Sequence, residues 1–134
     1  MTTDPVAVVR TCLELMQDGN AVAALDLLDP DLEWRNSGYP TLRGPRAHAA
    51  FRALEERGVD FAVTFHHVGV DVDDPEVVLT DRTDVLGLGR FRTEFWVCGT
   101  FRVRDGRIVL WDDRFSTGNL LVGAVRGLVR AVRP

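Results

Sequence analysis

The feature of this sequence that most constrains its fold is a change of apolar period near Gly58. Before this glycine, apolar residues mostly recur every three or four positions; from Val59 to about position 115, they alternate with polar ones. The first spacing is that of an amphipathic helix and the second is that of a half-buried strand. Helices followed by a run of strands favour an α+β fold, in which the helices cover one face of a mostly antiparallel sheet.

Turn and capping residues divide the two halves into elements. Asp4 and Pro5 are suited to the start of a helix, and Asp105-Gly106 between two alternating runs predicts a tight hairpin. Helices are predicted over 5–17, 21–28 and 46–57, and strands over 32–37, 60–70, 77–86, 91–104 and 107–115. The tail, 119–132, has helical apolar spacing, although two glycines weaken its helix propensity.

Composition narrows the class of protein. The 134 residues predict a single domain over 1–134. No apolar run reaches the roughly 20 residues of a membrane span, the start of the chain lacks the features of a signal peptide, and two cysteines without metal-type spacing suit a reduced, cytoplasmic protein. A net charge of −4 argues against nucleic-acid binding, and the absence of lysine excludes Schiff-base chemistry.

The stretch 80-TDRTDVLGLG-89 carries charges where a strand is predicted. Arg82 and Asp84 share one face, which Leu86 continues, while Asp81 and Thr83 share the other. If the Arg82 face is interior, the two charges are buried together, because an unpaired buried charge is very costly. In the alternative, Arg82 and Asp84 are solvated. The apolar continuation of their face favours burial, and a strand that keeps an ion pair inside is expected to use it.

Two other predicted strands carry polar side chains among apolar ones. In 109-VLWDDRF-115, Asp113 shares a face with Trp111 and Phe115, so an aspartate lies between two large aromatic residues. In 32-LEWRNS-37, Asn36 shares a face with Trp34, although an asparagine near Gly38 could also be a turn residue. Together these strands could bring two carboxylates, a guanidinium and an amide into one cavity, where the two carboxylates could serve as acid and base.

The set of motifs 82-RTD-84, 96-WVCGTFRVRDGRIVLWDDRF-115 and 34-WRN-36 resembles the limonene-1,2-epoxide hydrolase family. Order and spacing agree over most of the chain. The resemblance implies a cone-shaped fold of the nuclear-transport-factor-2-like (NTF2-like, or SnoaL-like) class. In this fold, N-terminal helices pack in a strongly curved mixed sheet. It also implies a homodimer and a one-step hydrolysis of epoxides that needs no metal ion and no cofactor.

The resemblance also implies a role for each polar residue. The base that activates water falls on Asp113, the acid that protonates the epoxide oxygen on Asp84, and the bridging arginine on Arg82. Asn36 falls on the position that helps to hold the water. Trp34 stands where the family has a tyrosine, and an indole N–H can donate a hydrogen bond to water but cannot accept one.

Apolar residues that share faces with these groups predict an apolar substrate. The predicted substrate-binding residues are Leu86, Phe95, Trp111, Phe115 and Leu120. The expected reaction adds water to an apolar epoxide and gives a vicinal diol. Three alternatives remain open on the sequence: an epoxide-opening cyclase, a polyketide-type cyclase of the same fold, and a non-catalytic module that binds a lipophilic ligand.

Overall fold

Four helices and six strands make up the fold. The computed structural model describes residues 3–133, so the ends of the predicted domain at positions 1, 2 and 134 lie outside the described residues. The helices are α1 (Pro5–Gln17), α2 (Ala21–Asp26), α3 (Pro45–Glu56) and α4 (Thr117–Val132). The strands are β1 (Leu28–Asn36), β2 (Leu42–Arg43), β3 (Asp60–Asp71), β4 (Asp74–Leu88), β5 (Phe91–Arg104) and β6 (Arg107–Arg114).

The strands form one mixed sheet in the order β2-β1-β6-β5-β4-β3. Strands β3 to β6 follow one another as antiparallel neighbours, whereas β1 inserts beside β6 and runs parallel to it. The first strand in the chain, β1, and the last, β6, are therefore neighbours within the sheet. This arrangement matches the α+β, mixed-sheet expectation.

Helix α1 packs against β3, β4, β5 and β6 and supplies much of the core. Pro5 occupies its first turn, and Val8, Val9, Cys12 and Leu13 are fully buried. Their spacing lays one apolar face on the sheet, which is the arrangement that the periodicity predicts. Helix α3 packs on β1, and α4 packs on β5.

Strand β1 begins earlier than predicted, at Leu28, which is the last residue of the predicted second helix. The helix ends at Asp26, and β1 starts at Leu28 and continues through Pro30. A proline in a strand lacks the N–H that a ladder hydrogen bond requires, and strands tolerate it at bulges. The pairing with β6 shifts register between Leu28 and Glu33, which accommodates the proline.

The hairpin between β5 and β6 turns at Asp105 and Gly106, as predicted. Both residues have positive φ, 53° and 77°, which is the conformation that a type I′ turn requires. Across residues 3–133, none of the helices combines the length and the apolarity that crossing a bilayer would require.

Candidate active site

Strand β4 turns its charged pair toward the interior of the protein. Arg82 is 0% exposed and Asp84 is 5% exposed. On the other face, Asp81 accepts a hydrogen bond from the indole of Trp96 and stays partly solvated. The interpretation in which Arg82 and Asp84 are solvated is therefore wrong. The ladder with β5 has a regular register along this part of β4, so the alternation of faces is uninterrupted.

The guanidinium of Arg82 joins two buried carboxylates. Its Nε and Nη2 donate to the two oxygens of Asp84, each at 2.9 Å. Nη2 also donates to Oδ2 of Asp113, at 2.7 Å. The ring of Phe101 lies 5.7 Å from the guanidinium carbon, so an aromatic face covers the group. Both oxygens of Asp84 are thus used, whereas only one oxygen of Asp113 contacts the arginine.

A row of neighbouring residues crosses four strands at this point. Asn36 of β1 is opposite Asp113 of β6, Asp113 is opposite Gly99 of β5, and Gly99 is opposite Thr80 of β4. Directly opposite residues of paired strands have their side chains on the same face. The sheet therefore sets Asn36 beside Asp113, and this adjacency depends on the parallel pairing of β1 with β6.

Burial raises the pKa of both aspartates above its usual range. For Asp84, desolvation is the largest influence, and the hydrogen bonds and charge of Arg82 oppose it. For Asp113, desolvation again comes first, Arg82 opposes it, and the negative charge of Asp84 raises the pKa further. Burial alone would lower the pKa of Arg82, but the charges of the two carboxylates raise it, so the guanidinium stays protonated.

These groups lie at the wall of a mainly apolar cavity of about 440 Å³. Asp84, Asp113, Asn36 and Trp34 line it, and Arg82 is fully buried. The five predicted substrate-binding residues, Leu86, Phe95, Trp111, Phe115 and Leu120, also line this cavity. Sequence reasoning missed several further lining residues, among them Leu25, Tyr39, Pro40, Leu42, Val59 and Phe61. Tyr39 and Pro40 lie in the loop between β1 and β2, and a loop sequence does not indicate which space the loop borders.

Several buried polar atoms at this site lack a partner within the described part of the chain. They are Oδ1 of Asp113 and the indole nitrogens of Trp34 and Trp111. Trp34 stacks on Phe51 with ring centroids 4.1 Å apart, which fixes the plane of its indole. The Trp111 indole also interacts with the Asp113 carboxylate and so lowers its pKa, against the larger effect of burial. Because buried polar groups ordinarily have partners, the Asp113 oxygen and the Trp34 donor at the cavity wall indicate a polar ligand or a water.

Sequence reasoning also missed two residues that contact the guanidinium. Thr80 accepts a hydrogen bond from Nη1 of Arg82, and Gly99 lies beneath the same nitrogen. Thr80 could have been found from the sequence, since it precedes Arg82 by two positions and so shares its face. Gly99 could not, because its position depends on the register of β5. Among residues 3–133, no group of three or more His, Cys, Asp or Glu side chains is arranged to hold a metal ion.

Comparison with known proteins supports the resemblance seen in the motifs. The family model described as the limonene-1,2-epoxide hydrolase catalytic domain matches residues 3–126. Epoxide hydrolase EphG of Mycobacterium tuberculosis is 39% identical over 126 residues, which cover 94% of this chain and 83% of that protein.

Solved structures agree with the family match. The structure of an M. tuberculosis LEH-like epoxide hydrolase has a TM-score of 0.82 and 40% identity, over 96% of this chain and 94% of that one. The epoxide hydrolase/cyclase-like enzyme SalBIII has a TM-score of 0.72 with 13% identity, over 84% and 91% of the two chains, so it shares the fold. These likenesses confirm the expected NTF2-like fold class. The chain therefore belongs to the limonene-1,2-epoxide hydrolase family, a family of epoxide hydrolases.

Proposed function

We propose that this protein adds water to an apolar epoxide in one push-pull step, gives a vicinal diol, and requires no cofactor. The observation that supports this most is the Arg82 bridge. One guanidinium holds Asp84 and Asp113 at 2.7 to 2.9 Å, and both carboxylates line an apolar cavity. A general acid and a general base that flank a substrate can each contribute about 10²–10⁴-fold to the rate.

In the proposed step, Asp113 is the base and Asp84 is the acid. Asp113 takes a proton from water as the water oxygen bonds to an epoxide carbon. The bond between that carbon and the ring oxygen breaks, and Asp84 gives its proton to the departing oxygen. The diol leaves as a neutral product, and the proton on Asp113 must return to Asp84 before the next turnover. No covalent bond to the protein forms at any point.

The way the two carboxylates are held supports this assignment of the two roles. Asp84 uses both oxygens on Arg82, whereas Asp113 keeps Oδ1 free of any hydrogen bond that the described residues provide. A free, buried oxygen suits the group that must receive a proton from water. Asp113 also lies beside Asn36 in the sheet, and the amide of Asn36 offers both a donor and an acceptor to the same water.

The raised pKa values support a carboxylic acid that keeps its proton to higher pH than a solvated aspartate would. Burial supplies the upward shift at both residues. We propose that the pair shares one proton, so that Asp84, Asp113 and Arg82 together are neutral and titrate as one unit.

Trp34 is proposed to donate a hydrogen bond to the attacking water. Its indole nitrogen is buried and lacks a partner in the described chain, and its stacking on Phe51 restrains it. A water that donates to Asp113 and to Asn36 and accepts from Trp34 retains one lone pair for the epoxide carbon. The remainder of the cavity wall is mainly aliphatic and aromatic, which supports an apolar substrate.

The test is incubation with a panel of apolar epoxides in ¹⁸O-labelled water, with Asp84→Asn and Asp113→Asn as matched variants. Labelled diol that disappears in both variants is the expected result. An unlabelled cyclic ether would instead mean that an internal hydroxyl replaces water, as in an epoxide-opening cyclase, and an unlabelled carbocyclic product from a polyketide would mean a cyclase of that type. Tight binding without turnover would mean a lipophilic-ligand module.

We also propose that the protein is a cytoplasmic homodimer. The outward face of α4 supports association, because it exposes Leu121, Val122, Val125, Leu128, Val129 and Val132, which are 45% to 73% accessible. A helix face of this kind marks a contact surface in many proteins. Sedimentation equilibrium that fits a monomer at all concentrations would contradict the dimer.

A further inference from the structure

Arg82 must approach Asp113 across the strand that separates them. Arg82 belongs to β4 and Asp113 to β6, with β5 between the two. The guanidinium therefore passes over the residue of β5 that is opposite Asp113, and that residue is Gly99. A Cβ at this position would overlap Nη1 of Arg82 and would lie 2.8 Å from Oδ1 of Asp113 and 2.8 Å from Oγ1 of Thr80. Contacts under 3.0 Å between a Cβ and another heavy atom essentially do not occur.

Gly99 has an ordinary extended backbone, so backbone strain does not explain a glycine here. A glycine in the interior of a strand weakens the strand and often marks the close approach of another group. The group in this case is the guanidinium, which occupies the space that a side chain would fill.

Thr80 contacts Nη1, the guanidinium nitrogen of Arg82 that neither aspartate contacts. Nη1 donates to Oγ1 of Thr80 at 3.0 Å, and the Thr80 hydroxyl donates to the carbonyl oxygen of Gly99 at 3.3 Å. The hydroxyl is thus oriented by its own donor bond and turns a lone pair toward the arginine. Thr80 is 5% exposed, and it is not among the described residues that line the cavity.

We propose that Thr80 and Gly99 are positioning residues for the acid and base pair: Gly99 provides the seat of the guanidinium, and the Thr80 hydroxyl fixes its rotation. With Nη1 anchored on a neutral oxygen, Nε and Nη2 remain for Asp84, and the second hydrogen of Nη2 remains for Asp113. A third carboxylate at this edge would add a negative charge, whereas threonine satisfies the edge without one. This inference rests on the proposed function for its kinetic readout.

The first test compares Thr80→Val, which keeps the shape and removes the hydroxyl, with Thr80→Ser, which keeps the hydroxyl. A hydrogen bond to a charged group is worth about ten- to hundredfold in an equilibrium, so Thr80→Val is expected to lower kcat by about tenfold or more. KM is expected to stay unchanged, because Thr80 does not face the cavity. Thr80→Ser is expected to keep kcat within about threefold of the wild type.

The pH profile separates positioning from a purely structural role. A loosened guanidinium holds the carboxylates less well, so the acidic limb of kcat/KM is expected to move to higher pH in Thr80→Val and to stay in place in Thr80→Ser. Thr93→Val is the matched control. Thr93 is a second buried threonine, on β5 where Thr80 is on β4, and its hydroxyl has no partner among the described residues. A wild-type profile in Thr80→Val, with unchanged kcat, would overturn the proposal.

Gly99→Ala tests whether the guanidinium of Arg82 needs the space that the absence of a side chain at Gly99 leaves. Its methyl group is expected to displace the guanidinium, so kcat should fall at least as far as in Thr80→Val. If Thr80→Val does not fold, Thr80→Ala, which needs less space, replaces it with the same expected outcomes. Gly99→Ala with wild-type kcat would show that the guanidinium does not need the vacant space.

A readout without turnover distinguishes this inference from the proposed function. In protein with ¹³C-labelled aspartate carboxyl groups, the resonances of Asp84 and Asp113 are expected to titrate at higher pH in Thr80→Val than in the wild type. If the wild type hydrolyses no epoxide, the proposed function fails, and this titration still decides the role of Thr80. Identical titration curves in the two proteins would refute it.

Discussion

Asp84 and Asp113 both contact Arg82, and each replacement by asparagine removes one carboxylate. We nevertheless expect the two replacements to change the free energy of unfolding by different amounts. Asp84 accepts from Nε and Nη2 with its two oxygens. An asparagine there has one oxygen and one NH₂ group, so in either orientation a donor faces a donor of the buried guanidinium. Asp113 accepts from Arg82 with Oδ2 alone. An asparagine there can give its oxygen to Nη2 and turn its NH₂ group toward the position of the unpaired Oδ1.

The expected difference can be worked out from these contacts. Asp84→Asn loses one charge-assisted hydrogen bond, worth about 1.5–3 kcal/mol, and leaves two opposed donors, so the total approaches the ~3–5 kcal/mol lost on breaking a buried pair. We expect a loss of about 3 kcal/mol in the free energy of unfolding. Asp113→Asn keeps its hydrogen bond and removes a carboxylate that burial disfavours, so we expect a change within about 1 kcal/mol.

Urea unfolding at pH 7, followed by circular dichroism, measures this difference. With a slope of about 2 kcal/mol per M, Asp84→Asn should lower the midpoint by about 1.5 M, while Asp113→Asn should move it by less than about 0.5 M. Both variants should be inactive. Equal midpoint shifts in the two variants would refute the reasoning, because the bidentate contact of Asp84 would then have no special weight.

Three further outcomes follow from other features of the structure. Because burial raises the pKa of Asp113, its contribution to stability is complete below the ordinary aspartate pKa of about 3.9 and is lost as pH rises through the folded pKa. The stability of the wild type relative to Asp113→Asn should therefore fall as pH rises above about 4, which unfolding at several pH values measures; a rising difference would contradict the shift. Burial raises the pKa of Cys12 to about 12, so native protein should be alkylated at Cys98 and not at Cys12, and mass spectrometry that finds rapid labelling of Cys12 would refute this. A side chain at Gly127 would overlap the carbonyl oxygen of Arg92, so Gly127→Val should displace α4 and lower the melting temperature by several degrees in scanning calorimetry; an unchanged value would show that α4 adapts.

Much of the site could be read from the sequence, because a strand has a period of two. The faces of Arg82, Asp84 and Asp113 followed from counting alone, and the apolar neighbours of each indicated which face is interior. The helix boundaries of α1 and α3 followed from proline, glycine and helical spacing to within a residue. The relation between strands did not follow from these patterns, because register depends on contacts that are distant in the chain.

The residues that sequence reasoning missed depend in the same way on contacts between parts that are distant in the chain. Gly99 is one glycine among many until its position opposite Asp113 is known. In α4, Gly123 and Gly127 reduce helix propensity, yet both lie against the backbone of β5, where a Cβ on either would overlap a carbonyl oxygen. A propensity scale describes an isolated helix, so it cannot show that a helix needs glycine for close packing.

The parallel pairing of β1 with β6 has a consequence for how the protein acquires its site. Asn36 and Asp113 are adjacent in the sheet although 76 residues lie between them in the chain. On the ribosome, β1 emerges long before its neighbour β6 has been made, so the pair of Asn36 and Asp113 cannot form until nearly the whole chain exists. Contacts of such long sequence separation form slowly. Catalytic competence should therefore be among the last properties that a newly made chain gains, and it would report complete folding more faithfully than helix content does.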